Sequence, residues 1–134
     1  MKKLVTLLVL IILLTLSGCV DESVSPVAVS ANAVVVDLHS SDKLAAIEDE
    51  AIAKELAAMY NKLRMKKVEK TVDQSSLVSI VFYKDNKEIS VFSVDKNGVL
   101  YMYRDDSNIY KLTNRIVNYK RILEIFEEYK NTDK

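Results

Sequence analysis

From Leu77 to Lys84 apolar and polar residues alternate, with Val78, Ile80 and Phe82 on one side of the chain. Alternation of period two fits a strand with one buried face and no other regular element. Asp85-Asn86-Lys87 then reads as a short loop, and Glu88 to Val94 as the returning strand. Asn97-Gly98 is a strong hairpin signal, since both residues tolerate the positive φ of a type I′ turn. Val99 to Arg104 follows as a third strand. This run of hairpins commits the centre of the chain to an antiparallel sheet.

The flanks supply the remaining layers. Ala33 to Leu38 is dense in β-branched residues and reads as a strand, followed by a polar turn over His39 to Asp42. Lys43 to Ile47 is open between a return strand and a first helical turn. Asp49 is a plausible N-cap, and Ile52, Leu56, Met59 or Tyr60, and Leu63 recur at helical spacing. Arg64, Lys66 and Lys67 fall at the expected C-terminal end of that helix, where cations suit the dipole. Asp105 to Asn108 turns the chain into a short strand, Ile109 to Leu112. A last helix is expected from about Asn114, capped by Thr113 or Asn114, with Ile116, Tyr119, Leu123, Phe126 and Tyr129 as its apolar stripe. The fold class is therefore α+β: an antiparallel meander of four to five strands packed against two helices.

The N-terminus carries a different message. Met1-Lys2-Lys3 is followed by an apolar run, Leu4 to Leu16, interrupted only by Thr6 and Thr15. A spanning helix needs about 20 apolar residues, so this run has the length of a signal-peptide core instead. Leu16-Ser17-Gly18-Cys19 resembles a lipobox, the recognition site of the bacterial lipoprotein pathway. That resemblance implies a diacylglyceryl thioether (palmitate being a common acyl chain) on Cys19 and cleavage before it. Two acyl chains, at roughly 0.8 kcal/mol per buried methylene, suffice for stable attachment where one is marginal. Cys19 is the single cysteine, so no intrachain disulfide can form in the oxidising compartment to which such a leader delivers the chain.

The expected organisation is a signal peptide over 1–18, a lipidated N-terminus and flexible tether over 19–32, one α+β domain over 33–130 and a tail over 131–134. The tether holds the only proline, Pro26, and part of Val27 to Val29 is open to pairing as an edge strand. Without 1–18, 17 basic and 19 acidic side chains remain, which argues against a nucleic-acid partner.

Residues able to do chemistry are sparse. His39 is the lone histidine, so neither a Cys–His pair nor a histidine zinc set can be assembled, and a solvated turn residue is the plainer reading. Gly18 and Gly98 are the only glycines, too few for a phosphate-cradling loop. Asp105, Asp106 and Asn108 offer oxygens for a cation but lack the ligand number and turn glycine of a calcium loop. Glu48-Asp49-Glu50 suits helix capping better than acid–base catalysis. No catalytic residue, cofactor or metal is expected. Lys62, Arg64, Lys66 and Lys67 could orient the domain on an anionic membrane, at about 1 kcal/mol per charge, or simply complement a helix end. Tyr83, Tyr101 and Tyr103 could share one sheet face. Exposed, they would form a recognition surface; covered by a helix, they are core, and the balance leans to core.

Val81 to Glu88, Val91 to Tyr101 and Ile109 to Leu112, as a series, resemble a family of small cell-surface lipoprotein domains from Gram-positive bacteria. The likeness covers roughly residues 33–130, and the Ala-rich helix around Ala45 to Ala58 departs from it. Members of that family have no assigned activity, so the resemblance implies a fold and a location but no active site. Val94-Asp95-Lys96-Asn97-Gly98-Val99 is also similar, with shortened spacing, to the Val-Asp-x-x-x-Gly-x-Val turn of protease-inhibitory propeptide domains. The expected function is a membrane-anchored, non-enzymatic binding module on the extracytoplasmic face, contacting an envelope protein or peptide. The alternatives are an immunity or protease-inhibitor lipoprotein and, further off, an enzyme using dispersed carboxylates.

Overall fold

The computed structural model describes residues 22–102 and 105–133. Its elements run β1 (Ala33–Leu38), β2 (Lys43–Ile47), α1 (Glu50–Asn61), β3 (Met65–Val68), β4 (Val78–Lys84), β5 (Lys87–Val94), β6 (Val99–Met102), β7 (Asp105–Leu112), α2 (Tyr119–Tyr129) and β8 (Lys130–Asp133). A single 3₁₀ turn, Gln74–Ser76, precedes β4. The strands form one antiparallel sheet in the order β3-β7-β6-β5-β4-β1-β2-β8.

The α+β class and the two helices match the sequence expectation, but the sheet has eight strands where four or five were expected. Lys43–Ile47 resolves as a strand paired with β1. Arg64, Lys66 and Lys67, read as the basic end of a helix, lie beyond it: α1 stops at Asn61 with Lys62 as its C-cap, and Met65–Val68 is the outer strand β3. Lys130–Asp133 pairs with β2 as the opposite outer strand, directly after α2. Both outer strands are polar and short, and only their backbone bonds reveal them.

Local chemistry explains the other boundaries. Asp49 caps α1 as expected, its carboxylate accepting from Ala51 N and Ile52 N at 2.9 and 3.4 Å. α2 begins at Tyr119 rather than near Asn114, with Asn118 Oδ1 accepting from Arg121 N at 3.0 Å. Asn114 is occupied elsewhere. Its Nδ2 donates to Lys62 O at 2.9 Å and its Oδ1 accepts from Arg64 N, tying the approach to α2 onto the α1–β3 corner. The apolar stripe of α2 shifts accordingly, to Ile122, Ile125 and Phe126.

The type I′ geometry expected at Asn97-Gly98 falls instead at the loop read as Asp85-Asn86-Lys87. Asp85 and Asn86 both have positive φ, 51° and 63°, so the type I′ turn joins β4 to β5. At the β5–β6 turn only Gly98 is left-handed, at 74°, and Gly98 N donates to Asp95 O at 3.0 Å. That is a type I turn closed by a glycine bulge.

Both helices pack on one face of the sheet. Val34 and Val36 from β1, Ala45 and Ile47 from β2, Ile80 and Phe82 from β4, and Phe92 from β5 form one core with Leu56, Tyr60, Ile122, Ile125 and Phe126. Tyr60 meets Phe82 and Phe92 at centroid distances of 5.1 and 5.4 Å. Arg121 clamps Glu55 through two hydrogen bonds of 2.8 and 3.0 Å, linking the helices across their outer surfaces. That guanidinium holds the Glu55 carboxyl below its ordinary range.

Candidate recognition surface

Eight strands spaced about 4.8 Å apart span some 34 Å, wider than two helices of about 10 Å can cover even on their own side. The opposite face meets neither helix. Its residues are fixed by register: Val35 pairs with Val81 and Val81 with Val91, giving an apolar row across β1, β4 and β5. The adjacent row runs Asp37, Ser79, Ser93, Tyr101 across β1, β4, β5 and β6. Val35, Val81, Val91, Tyr83 and Tyr101 are all half-buried, and none belongs to the helix-side core.

Within the polar row, Ser79 joins Ser93 to His39. His39 Nε2 lies 3.2 Å from Ser79 Oγ, and Ser79 Oγ lies 2.6 Å from Ser93 Oγ. His39 itself is exposed at the end of β1. Sequence reasoning placed His39 in a solvated turn beside Ser40 and Ser41, whereas its hydroxyl partner comes from β4, 40 residues away. The signal lay in the odd-numbered serines of two alternating strands, but the β4–β5 register brings Ser79 to Ser93 and the β1–β4 register brings His39 to Ser79.

Tyr83 and Tyr101 stand on this same face, on β4 and β6. Tyr103, their expected companion, lies outside the described residues, as do Leu16, Ser17, Gly18 and Cys19. Asp105, Asp106 and Asn108 fall on β7 rather than on a turn. Among the described residues no group of three or more histidine, cysteine or acidic side chains is arranged to hold a metal ion.

The connection from β3 to β4 is tied to the β5–β6 turn, with Asp73 N donating to Asp95 Oδ2 at 2.8 Å. A cleft of about 720 Å³ where that connection leaves β3 is lined by Lys67, Val68, Glu69, Lys70, Thr71, Ser107 and Ile109. A second, of about 630 Å³, lies at Pro26, Val27, Tyr60, Glu88, Ile89, Ser90 and Met102. A third, of about 160 Å³, sits between the helices at Glu55 and Arg121. Each contains one carboxylate, so none brings together the paired acids that general acid–base chemistry requires.

The acids that do converge are structural. Asp95, 2% exposed, accepts from Asn97 N and Val99 N at 2.8 and 2.9 Å and from Asp73 N at 2.8 Å. Asp73 accepts from Ser75 Oγ at 2.6 Å and Ser76 Oγ at 3.0 Å, with Lys96 Nζ at 3.4 Å. Those hydroxyl bonds, led by Ser75, hold the Asp73 carboxyl down at about 2. Tyr119 OH donates to Ser76 O and so fastens the start of α2 to the same knot. Asp95 Oδ1 and Asp73 close their own turns, and Asp95 Oδ2 joins the two loops.

The N-terminal residues lie along the domain. Val24 forms an antiparallel bridge to Met65, with N–O distances of 2.7 and 3.1 Å, and Arg64 Nη1 donates to Ser25 Oγ at 2.9 Å. Val29 is held by Asn61, and Asn32 by Asp85. The stretch read as a tether is thus fastened from Val24 onward, and its pairing falls at Val24 rather than within Val27 to Val29. No protein-family model, curated protein or solved structure matches this chain.

Proposed function

We propose that this chain is a lipoprotein, anchored through Cys19 on the extracytoplasmic face of the cell membrane, whose domain is a non-enzymatic binding module for an envelope protein or peptide. The observation that carries the binding role is the helix-free sheet face. Val35, Val81 and Val91 offer a half-buried apolar strip beside the exposed His39, which is hydrogen-bonded through Ser79 to the buried Ser93. Tyr83 and Tyr101 lie on the same face, and tyrosine combines large contact area with a polar tip. The anchor reading is supported by the charged start, the apolar run of signal-peptide length and the Leu16-Ser17-Gly18-Cys19 sequence.

Crosslinking in intact cells of the native host, followed by capture of the full-length lipidated protein, tests both parts. The wild type should recover one stoichiometric envelope protein. Val81→Arg, which charges the apolar strip without touching the helix-side core, should reduce that recovery at least about tenfold while the protein stays in the membrane fraction. Equal recovery by both proteins, or no partner with either, overturns the binding role. Mass spectrometry of the mature N-terminus tests the anchor: an unmodified Cys19 overturns it.

A further inference from the structure

The bridge between Val24 and Met65 fixes where the anchor leaves the domain. Four residues lie between Cys19 and Val24, so the Cα of Cys19 can lie no more than about 18 Å from that of Val24, which is bridged to β3. Because the bridge is antiparallel, the chain before Val24 is directed toward the side of β3 that carries Lys66 and Lys67. Arg64, at the same corner, reaches back to Ser25 and strengthens that exit.

The edge that results is strongly basic. Between Lys62 and Lys70 the chain holds five basic side chains and one acidic, in a protein of zero net charge overall. Lys62, Arg64, Lys66, Lys67 and Lys70 are all exposed, and none takes part in an ion pair with a carboxylate among the described residues. Lys66 stands directly across from Lys111 on β7, a like-charged pair that the fold does not neutralise within the sheet. Successive strand residues point to opposite faces, so only a surface approaching the edge itself meets both Lys66 and Lys67.

We propose that the β3 edge is the membrane-facing surface of the domain, seated on anionic lipid headgroups, and that it thereby turns the recognition face side-on to the bilayer and accessible. This rests on the Cys19 anchor of the proposed function and adds an orientation to it. A long flexible tether would leave the domain free to tumble. A short one that departs beside a cluster of cations holds them within reach of the headgroups, where each adds to the attraction. Edge lysines also blunt unwanted strand pairing, but that role carries no dependence on lipid composition.

The test uses full-length lipidated protein in vesicles of phosphatidylcholine alone or with a large fraction of phosphatidylglycerol. A membrane-impermeant amine reagent reports which lysines are covered. Labelling of Lys66, Lys67 and Lys70 should fall at least about threefold in the anionic vesicles, and recover near 1 M salt, where the Debye length is only about 3 Å. Lys120 and Lys130, on and beside α2, should label equally in both. Lys66→Gln with Lys67→Gln should remove the difference at Lys70. Equal labelling of the β3 lysines in both vesicle types, with the protein still retained on washing, overturns the orientation and leaves the anchor standing. Release from both kinds of vesicle overturns the anchor, and the orientation with it.

Discussion

The side-chain amide of Asn61 grips the main chain of Val29 from both sides: Val29 N donates to Asn61 Oδ1 at 2.7 Å, and Asn61 Nδ2 donates to Val29 O at 2.8 Å. The last residue of α1 thus completes a missing strand partner for a segment that pairs with no strand at that point. Replacing Asn61 by Ala removes both bonds, at a cost of about 1–2 kcal/mol taken over the pair. The loss should appear locally before it appears globally. Hydrogen exchange at the Val24 and Met65 amides should accelerate in Asn61→Ala while amides in β4 and β5 keep their protection. Unchanged exchange at Val24 would show that the clamp holds nothing in place.

Tyr60 contributes both apolar area and a polar tip to the core. Its ring lies against Phe82 and Phe92, and its hydroxyl lies 2.9 Å from Ser90 Oγ. Burial pushes its phenol above the ordinary tyrosine range. Tyr60→Phe should cost about 1 kcal/mol, the net value of one such bond. Phe92→Ala, which empties the stacked centre of the sheet, should cost about 3–5 kcal/mol. With no tryptophan in the chain, urea unfolding followed by far-ultraviolet circular dichroism gives both values. A Tyr60→Phe penalty as large as that of Phe92→Ala would mean that the hydroxyl, not the ring, organises this core.

The central hairpins were legible because their signals are local. The alternation from Val78 to Phe82 and the β-branched run at Ala33 to Leu38 each state a strand without help from the rest of the chain. β3 and β8 were not, since Met65-Lys66-Lys67-Val68 and Lys130-Asn131-Thr132-Asp133 carry no alternating apolar face. Their place comes from backbone pairing with β7 and β2, which is non-local. The recognition face was half legible. Strand parity puts Tyr83 with Ser79 and Val81, but that Tyr101 shares their side depends on the β4–β5 and β5–β6 registers, and which side the helices choose depends on packing. The meeting of His39 with Ser79 required the β1–β4 register.

Gly98 and Asn86 separate two ways of making a left-handed residue. Gly98 has φ of 74°, and a Cβ placed there would come 3.3 Å from Leu112 Cδ1. Gly98→Ala therefore combines left-handed strain with crowding and should destabilise by about 1–2 kcal/mol. Asn86, at φ 63°, already tolerates its conformation in an exposed turn. Asn86→Gly should stay within about 0.5 kcal/mol of the wild type. Midpoints of urea unfolding compare the two directly. Equal penalties would imply that Leu112 yields to the new methyl and that the glycine bulge tolerates a side chain.

Acid stability should depend on Asp73. Its folded carboxyl titrates at about 2 against an ordinary value of 3.8, chiefly because Ser75 and Ser76 donate to it and favour the charged form. A depressed acid contributes stability above the unfolded value and loses it as pH falls toward the folded one. The contribution of Asp73 is therefore complete above about pH 5 and fades between about pH 4 and 2. Asp73→Asn cannot titrate, so its stability should start lower at pH 5 and fall less steeply through that window. Denaturation curves taken from pH 5 down to pH 2 should converge at the acid end. Parallel curves for the two proteins would assign the acid sensitivity to other depressed carboxyls, of which Asp49 and Glu55 are the first to substitute.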